Sequence, residues 1–507
     1  MAKVIIIGGG VAGLAAGIRA QRGGQEAVIV ERHTKAGGNL TGWNRDGYHI
    51  DNCIHWLTGT NPVTGQYRTW RELGVPLDAV YQGEELYTYS TDSGSLSLSR
   101  DIDRLERDLR FYSCGDDREI TRLIRAVRAA RTVCGICAER NDKAATLPEV
   151  ARHAPRLLPY LMMTTGELAV RFRSPMIRGF LRSLLSDNFG AIALLIVFAT
   201  YCADNGGIPH GSSCAMAQGM EDRFRSLGGV LLCGAPASRL EFLNGRVCGV
   251  MLEDGRRLFA DAVVLACDPA CAFGKLLPAE YMPEQLRRRY QDPRRRFFSS
   301  FHCAFGCDTA ELPFRGDLIL DMPARLKEEF GTDYLVLREF SHEPGFAPEG
   351  KSLIQTMCFC TQVHSARFIT MSAEREAYRT AKEWLSAWIE ETIAAHFPQL
   401  KGKLRCIDCW TPATYRRFTG APSGSYIGFT LPAGRIPSMI PSQIKGVDNL
   451  FLATQWQQEP GGLPTAASAG IAAAEAVIRF AAKQKRTEEK SARQRRRAAV
   501  QSIGAVE

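Results

Sequence analysis

Two features of secreted and membrane-spanning proteins are missing from this sequence. The apolar run that begins at Val4 follows Met1 almost at once, with no charged region and no small-residue cleavage site, so we expect no signal peptide. The longest uncharged apolar run covers residues 189–203, short of the roughly 20 residues that a spanning helix needs. That run predicts a buried helix, or one that lies along a membrane surface.

The cysteines lack the spacing of a metal site. The 16 Cys are scattered, most of them in apolar runs such as VVLAC and TMCFC, a pattern that indicates reduced thiols in a cytoplasmic protein. Two CxxC pairs occur, Cys134/Cys137 and Cys406/Cys409, and no histidine pair completes either one. The second pair lies in KLRCIDCW, a predicted strand, where residues three apart face opposite sides. We therefore predict no metal site and no redox role for these pairs.

Positive charge is concentrated at one end of the chain. The formal net charge is +9, and residues 483–507 hold eight Lys or Arg and three Glu, a net charge of +5. Such a polar segment predicts a solvated, disordered tail. An alternative is attraction to an anionic membrane, worth about 1 kcal/mol per basic residue near the surface. No stacking aromatic residues interleave with the basic ones, so we do not expect nucleic acid as a partner.

The first 31 residues carry the pattern of a dinucleotide-binding βαβ unit. A buried strand, Val4–Ile7, leads through the spacing Gly8-x-Gly10-x-x-Gly13 into an alanine-rich helix, and a second strand ends at Glu31. The glycines allow a tight turn and close approach of a pyrophosphate, which then faces the helix N-terminus. Glu31 can accept hydrogen bonds from ribose hydroxyls. The context of strand, helix and acid makes the motif specific for a dinucleotide.

The chain contains no second GxGxxG and no long internal repeat. One tightly held dinucleotide is therefore favoured over separate flavin and nicotinamide domains. The 507 residues are too many for one ordinary core, so we expect two domains that are interleaved along the chain.

Several further stretches resemble one group of flavoproteins. The Gly37-Gly38 doublet in ERHTKAGGNLTGW is typical of flavin proteins that carry a GG motif after the βαβ unit. The stretches GRVCGVMLEDGRRLFADAVVLACDPACAF, TPATYRRFTGAPSGSYIG and NLFLATQWQQEPGGLPTAASAG resemble the phytoene desaturase, carotenoid isomerase and retinol saturase-like family of the amine-oxidase-like superfamily. IDNCIHWLTG (50–59) is most similar to the retinol saturase-like proteins, which carry an Ile-His pair there. It departs from them at Cys53, where they usually have glycine.

This resemblance implies FAD as the cofactor. The residues that it assigns to FAD are Gly8, Gly10, Val11, Ala12, Gly13, Glu31, Arg32, Gly37, Gly38, Asn39, Leu40, Ala237, Thr454, Gln455, Gly461, Gly462, Leu463, Pro464 and Thr465. Backbone N–H groups of 461–465, at a helix N-terminus, would face the flavin pyrimidine and stabilise negative charge on reduced flavin. The family often has an acidic residue where this chain reads Thr454-Gln455, and Gln455 can still hydrogen-bond a ribityl hydroxyl.

The resemblance and the periodicity of apolar residues along the sequence together predict an α/β fold. A Rossmann-like FAD-binding domain is interleaved with a mixed α+β substrate-binding domain. The predicted segments are 1–104, FAD-binding; 105–204, helical and substrate-covering; 205–289, FAD-binding with a β-meander; 290–430, substrate-binding; 431–482, FAD-binding; and 483–507, the basic tail.

The family implies hydride transfer between flavin and a carbon of an apolar unsaturated lipid, such as a polyene, carotenoid, retinoid or fatty acid. Saturation, isomerisation and desaturation all fit, and the Ile54-His55 match favours the first two. His55 suits a proton donor because the ordinary histidine pKa lies near operating pH, although a structural histidine is an equal alternative. Trp56, Tyr426 and Trp456 are further catalytic-site candidates that would wall the flavin ring, or simply pack in the core.

Two other functions stay open at this point: a flavin amine oxidase, which shares the fold, and a non-catalytic FAD-containing lipid-binding protein. The run RRRYQDPRRRFF (287–298) predicts either a solvated face or a membrane contact. We expect a cytoplasmic protein, peripheral on the membrane at most. The sequence names no electron donor or acceptor.

Overall fold

The computed structural model describes residues 2–139, 143–295 and 297–503, and describes side chains over 2–135, 148–295 and 297–494. Strands and helices are numbered in chain order. The strands of this described part are β1 (Lys3–Ile7), β2 (Glu26–Val30), β3 (Gly42–Arg45), β4 (Tyr48–Asp51), β5 (Leu57–Thr58), β6 (Val80–Tyr81), β7 (Glu85–Thr91), β8 (Gly94–Ser99), β9 (Gly206–Pro209), β10 (Val230–Leu232), β11 (Ala237–Leu243), β12 (Arg246–Leu252), β13 (Arg257–Phe259), β14 (Ala262–Leu265), β15 (Ser299–Asp308), β16 (Leu318–Asp321), β17 (Tyr334–Glu339), β18 (Lys351–Cys360), β19 (Arg405–Trp410) and β20 (Leu450–Leu452).

The described α-helices lie between these strands along the chain, six of them in succession between β8 and β9, and the last one follows β20. Within the described ranges they are α1 (Val11–Arg22), α2 (Gly65–Glu72), α3 (Ile102–Phe111), α4 (Asp117–Glu139), α5 (Lys143–Leu161), α6 (Thr165–Ala169), α7 (Pro175–Leu184), α8 (Ala191–Tyr201), α9 (Ser212–Ser226), α10 (Pro269–Cys271), α11 (Glu284–Gln291), α12 (Ala324–Phe330), α13 (Gln362–Met371), α14 (Arg375–His396), α15 (Pro412–Thr419) and α16 (Leu463–Ile503).

A five-stranded parallel sheet, in the order β10-β2-β1-β14-β20, is the centre of the nucleotide-binding region. Both faces of β1 are covered, as expected for a central parallel strand: Val4 and Ile6 pack with helices α1, α9 and α16, whereas Ile5 and Ile7 pack towards the antiparallel sheet β11-β12-β13. The predicted Rossmann-like α/β architecture and β-meander are therefore confirmed.

A second, seven-stranded sheet has the order β19-β15-β18-β17-β16-β7-β8. Its pairings are antiparallel except for β16 with β7. Strands β7 and β8 thus belong to this sheet, although the prediction placed them in the first FAD-binding segment, which extended to residue 104. The prediction failed here because pairing with β16 joins residues more than 200 positions apart, and no local pattern reports such a partner.

Helices α3–α8 pack over one end of this second sheet around a core that includes Leu105, Phe180 and Phe198. Helix α8 is the long apolar run identified in the sequence, and its residues are buried apart from Ile196 and the half-buried Ile192 and Val197. Helices α12, α13 and α14 cover another face of the sheet around Phe301, Phe330 and Leu385. A cavity lined by residues of both sheets lies in the region between them.

The basic tail differs from the prediction. Helix α16 continues without interruption through Ile503, so residues 483–503 are helical and not disordered. The reason is composition: this stretch is rich in Lys, Glu, Gln, Arg and Ala, which are good helix formers, and it contains neither Gly nor Pro before Gly504. The span Leu463–Gln494 also meets the length and hydropathy criteria of a membrane helix, but its first turns pack against α1 in the core, through Ala473 and Val477.

Candidate active site

The ends of four parallel strands converge at one edge of the first sheet. Gly8 follows β1, Glu31 follows β2, Asp268 lies three residues beyond β14, and Thr454 lies two residues beyond β20. Groups that lie up to 446 positions apart in the sequence, from Gly8 to Thr454, therefore meet at the carboxyl edge of the sheet. This edge is where open α/β sheets bind their ligands.

The first turn of this edge requires glycine at two positions. Gly8 has a φ of +112°, and a Cβ there would lie 2.7 Å from the carbonyl oxygen of Ala266. A Cβ on Gly13 would lie 1.9 Å from the carbonyl oxygen of Gly8. Gly13 therefore serves the packing of α1 beneath the turn. It is the one predicted FAD residue that does not itself line the cavity described below.

Glu31 is held in place by backbone donors at the end of β2. Its Oε2 accepts a hydrogen bond of 2.7 Å from the N–H of Gly9, and its Oε1 accepts one of 2.8 Å from the N–H of His33. Each oxygen keeps a further lone pair, and the side chain borders the cavity beside Arg32. The carboxylate can therefore accept hydrogen bonds from the hydroxyls of a ribose.

The glycine doublet brings a second turn against the first. Gly37 donates from its N–H to the carbonyl oxygen of Gly9 at 2.8 Å, and both Gly37 and Gly38 have positive φ. A Cβ on Gly10 would meet no heavy atom nearer than 3.9 Å and would instead occupy cavity space. The three glycines thus keep open a cradle at the N-terminus of α1, which is the shape that a pyrophosphate needs.

A loop at residues 459–462 closes the other side of the site and leads into α16. A Cβ on Gly461 would lie 2.6 Å from the Cα of Gly428, so the two backbones touch here. Thr465 donates from its hydroxyl to the carbonyl oxygen of Pro460 at 2.9 Å, which fixes the first turn of α16 on the loop. The helix N-terminus, with its partial positive charge, is one wall of the cavity.

Two arginines, Arg289 buried and Arg295 nearly so, anchor this loop, a feature that the sequence did not indicate. Glu459, which is 2% exposed, pairs with the Nε atoms of Arg289 at 3.1 Å and Arg295 at 2.6 Å. Both arginines belong to RRRYQDPRRRFF, which the sequence analysis interpreted as a solvated face or a membrane contact. That interpretation is wrong for Arg289 and Arg295, and their distance of more than 160 residues from Glu459 explains why no local pattern revealed it.

The site opens into one cavity of about 850 Å³. Its nucleotide end is lined by every predicted FAD residue except Gly13. Its far end is apolar and lies between α7, α8 and the second sheet. The residues of this apolar chamber are Leu184, Leu185, Phe189, Ala193, Ile196, Val197, Ile319, Val336, Met357 and Phe359. The four candidate catalytic residues all border the same cavity, between or beside its two ends.

His55 borders the cavity beside Trp56. Its Nδ1 atom is inaccessible to solvent and has no hydrogen-bond partner in the described part of the chain. Burial, with smaller contributions from Arg338 and His302, lowers the pKa of the imidazole well below its usual value. The expectation that its pKa lies near operating pH is therefore wrong. Neutral His55 can hold a hydrogen bond at the cavity wall but is a poor cationic acid.

A buried polar network stands behind His55. The hydroxyl of Tyr415 contacts Nε2 of His302 at 3.0 Å and donates to Oδ1 of Asn52 at 3.0 Å. His302 stacks on Trp410 with ring centroids 4.5 Å apart, and burial lowers its pKa to about 3. These contacts fix the imidazole of His302. None of the four was predicted from the sequence, and the TPATYRRF motif that contains Tyr415 was the nearest signal.

The three aromatic candidates have different surroundings. Tyr426 donates from its hydroxyl to the carbonyl oxygen of Cys53 at 2.8 Å, and thereby ties two cavity walls together. Trp56 borders the cavity and packs on Gly206, where a Cβ would lie 2.9 Å from its ring. Trp456 is 3% exposed and belongs to an aromatic cluster with Tyr290 and Phe429, so most of its surface is core packing.

Asp268 is a cavity residue that the sequence analysis missed. Burial raises its pKa to about 6, although the N–H groups of Ala270 and Cys271 partly offset that effect. Asp268 borders the nucleotide end and lies near the indole of Trp456. Its place beyond a buried strand, in VVLACDP, was the available signal, because polar residues at parallel strand ends meet at the ligand edge.

The fold and the site define a dinucleotide-binding flavoprotein. A family model described as flavin containing amine oxidoreductase matches residues 11–478, which is most of the chain. The protein belongs to this family and is an FAD-dependent oxidoreductase. The open glycine cradle, the hydrogen-bond-accepting Glu31 and the helix N-terminus at Leu463 fit the pyrophosphate, ribose and flavin portions of FAD in turn.

The relatives include proteins of the group that the sequence motifs resemble. The chain is 22% identical to prolycopene isomerase 1, chloroplastic, of an Oncidium hybrid cultivar, over 87% of this chain and 77% of that protein. It is 22% identical to human all-trans-retinol 13,14-reductase, over 89% and 82%. It is 25% identical to the lycopene-forming phytoene desaturase of a Paracoccus species, over 83% and 86%. The predicted resemblance is confirmed at this level of identity.

Solved structures confirm the fold. An oxidoreductase from Methanosarcina mazei has a TM-score of 0.58 at 16% identity, over 92% of this chain and 99% of that one. Cyclohexylamine oxidase from Brevibacterium oxydans has a TM-score of 0.57 at 17% identity, over 94% and 99%. At these identities the likeness concerns the chain path alone.

Proposed function

We propose that this protein transfers hydride between FAD and a carbon–carbon double bond of an apolar unsaturated lipid, such as a polyene, carotenoid or retinoid. The observation that carries the proposal is the single cavity that runs from the glycine cradle into the apolar chamber between α7, α8 and the second sheet. A long hydrocarbon can lie in that chamber with one end at the flavin position. The relatives named for isomerisation, reduction and desaturation of such molecules support this substrate class.

The chain's own residues would bind and orient both molecules. FAD, when bound, supplies the hydride acceptor or donor. The apolar chamber excludes water and aligns the polyene by shape, since its walls offer a lipid few polar partners. Neutral His55 would hold a hydrogen bond at the cavity wall, and the hydroxyl of Tyr426 would hold the neighbouring backbone of Cys53 in place.

An amine oxidase is the alternative from the same family, and the cavity gives it less support. The carboxylates that border the cavity, among the described residues, are Glu31, Glu253 and Asp268. All three lie at the nucleotide end, so the chamber offers no carboxylate to pair with a substrate ammonium group. A cationic amine would have to lose its hydration in order to contact an apolar wall, which costs desolvation free energy. An apolar lipid has no charge to desolvate.

An anaerobic spectroscopic experiment tests the proposal and separates its versions. Reduced holoprotein is mixed with a panel of retinoids and carotenoids, and oxidised holoprotein with their more saturated counterparts and with benzylamine and cyclohexylamine. Return of oxidised flavin absorbance with a polyene indicates saturation, which, together with isomerisation, the Ile54-His55 pair favours over desaturation. Isomer change without a net absorbance change indicates isomerisation, and bleaching by a saturated precursor indicates desaturation. Bleaching by amines, with no response to any lipid, would refute the proposal, and no response at all would indicate a non-catalytic lipid-binding protein.

The lipid would enter from a membrane surface. Ile196 borders the cavity and is 37% exposed, so the chamber reaches solvent beside α8. Exposed Met162 and Ile436 lie on segments joined to this region, since Gly434 donates from its N–H to the carbonyl oxygen of Leu161. The exposed basic residues of α16 add attraction to anionic lipid. We therefore propose a cytoplasmic protein that binds peripherally to a membrane.

Vesicle flotation tests the membrane contact. Met162→Glu should lower recovery with vesicles of mixed neutral and anionic lipid without changing turnover of detergent-solubilised substrate. Removal of residues 483–507 should lower binding to anionic vesicles only. Equal flotation of both variants and the parent protein would contradict the membrane contact and leave the lipid reaction itself untouched.

A further inference from the structure

Three thiols meet on strands β15 and β19, away from the flavin cavity. Cys303 and Cys409 are direct partners across the two strands, with Sγ atoms 3.2 Å apart, and the Sγ of Cys406 lies 3.5 Å from that of Cys409. Cys303 and Cys409 are buried, whereas Cys406 is exposed. Cys303 follows His302 on β15, so the thiols face the opposite side of the sheet from the network behind His55.

A β-bulge brings Cys406 and Cys409 together. The register of β15 with β19 shifts between Ala304 and Phe305, where Asp408 and Cys406 are the successive partners and Ile407 is the extra residue. The sequence analysis expected the two cysteines to face opposite sides of a regular strand. That expectation is wrong, because the extra residue in the bulge changes the alternation by one.

The cluster favours a reactive thiolate at its exposed member. The neighbouring thiols of Cys303 and Cys409, with further contributions from Ser386 and Lys382, lower the pKa of Cys406. Thiolates, not thiols, attack disulfides. The Sγ of a second thiol, Cys409, already lies 3.5 Å away, and the two sulfurs of a disulfide are about 2.05 Å apart.

A cavity of about 530 Å³ adjoins the cluster, and Cys409 is part of its wall. Three cations border it, Arg45, Lys382 and Arg417, against the single carboxylate of Asp408. That carboxylate is already occupied, since it pairs with Arg45 at 2.6 Å and accepts from the indole N–H of Trp43 at 2.9 Å. The cavity therefore carries a net positive charge and suits a small molecule that bears carboxylates.

We propose that Cys406 and Cys409 form a dithiol site that reduces small anionic disulfides. The thiolate of Cys406 attacks one sulfur of the disulfide, forms a mixed disulfide and releases the other half as a thiolate. Cys409 then loses its proton to that thiolate, attacks the Sγ of Cys406 and expels the second half, which takes up a proton from water. Two protein thiols are oxidised to one intramolecular disulfide, and one small disulfide is reduced to two thiols.

The test uses reduced holoprotein and 5,5′-dithiobis(2-nitrobenzoate), an aromatic disulfide with two carboxylates. The expected result is a fast phase that releases two thiolates for the pair, with peptide 406–416 recovered two hydrogens lighter. Exposed Cys114 is the matched control, since a lone thiol releases one thiolate and stays as the mixed disulfide. In Cys409→Ser, Cys406 should likewise release one and retain the adduct.

A charge variant tests the cavity. Arg417→Gln should slow the anionic probe about threefold and leave the rate with neutral 2,2′-dithiodipyridine unchanged, because a partly exposed charge contributes less than about 1 kcal/mol. The proposal is overturned if Cys406 reacts no faster than Cys114, if its adduct persists in the parent protein, or if the new disulfide joins Cys303. Equal slowing of both probes by Arg417→Gln would overturn the assignment of the cavity to anionic disulfides.

Discussion

The ion-pair anchor under the flavin-facing loop allows a quantitative prediction. Glu459→Gln keeps the shape of the side chain but removes the charge that balances Arg289 and Arg295. Arg289 remains 7% exposed and held by the carbonyl oxygens of Gln457 and Ser438, both at 2.8 Å, so it cannot easily move to solvent. Loss of one partner from a buried pair costs about 3–5 kcal/mol. For a chain of 507 residues that unfolds as a unit, this corresponds to about 3–5 °C in Tm.

Glu284→Gln is the matched control for this variant. Glu284 also pairs with two arginines, Arg287 at 3.2 Å and Arg288 at 2.8 Å, but its side chain is 57% exposed. We expect its loss to cost less than about 1 kcal/mol. Differential scanning fluorimetry of the apoprotein gives the Tm, and release of flavin fluorescence on heating reports the loop. A Glu459→Gln protein with the Tm and flavin content of the Glu284→Gln protein would refute the anchoring role.

Three further predictions concern the cofactor site and its buried histidine. Glu31→Arg should abolish the retention of FAD through desalting. Glu26→Arg, at the exposed start of β2, should retain FAD and is the control. Full flavin occupancy in Glu31→Arg would contradict the assignment of Glu31 to the ribose. Gly461→Ala should lower flavin content and stability by about 1–3 kcal/mol, since its Cβ would lie 2.6 Å from the Cα of Gly428, and denaturant titration measures the loss. The pKa of His302, lowered to about 3, makes the folded protein bind fewer protons than the unfolded chain below pH 6.5, so stability is lost as pH falls. That loss is about 2 kcal/mol between pH 7 and pH 5, and His302→Asn should remove it. Buried aspartates with raised pKa act in the opposite direction in both proteins and cancel in the comparison, so an unchanged pH dependence in the variant would disprove the role of His302.

The nucleotide end of the site could be predicted because its signals are local. The positions of Gly8 and Gly13 follow from the geometry of one turn between a strand and a helix, and Glu31 ends the next strand. Each of these constraints acts within about 30 residues of chain, so the sequence shows them directly. The FAD residues nearer the other end, such as Gly461, were accessible only through resemblance, since a Pro-Gly-Gly loop has no ligand of its own.

The chemistry of the side chains around the cavity could not be predicted from sequence. His55 was assigned the ordinary pKa of histidine, which lies near operating pH. Its actual neighbours, Arg338 and His302, come from the second sheet and join burial in lowering that pKa. Tertiary packing determines which groups surround a titratable side chain. Nothing near IDNCIHWLTG indicates which strands will lie against His55.

The sequence by itself determined the class of fold, the cofactor edge of the first sheet and the family. Those depend on short-range backbone constraints and on motifs that survive at about 22% identity. Tertiary structure alone decided which charges are buried and which thiols meet. Arg289 and Arg295 pair with Glu459 because segments more than 100 residues apart in the sequence pack together. Cys406 lies beside Cys409 because β19 has one extra residue in its pairing with β15.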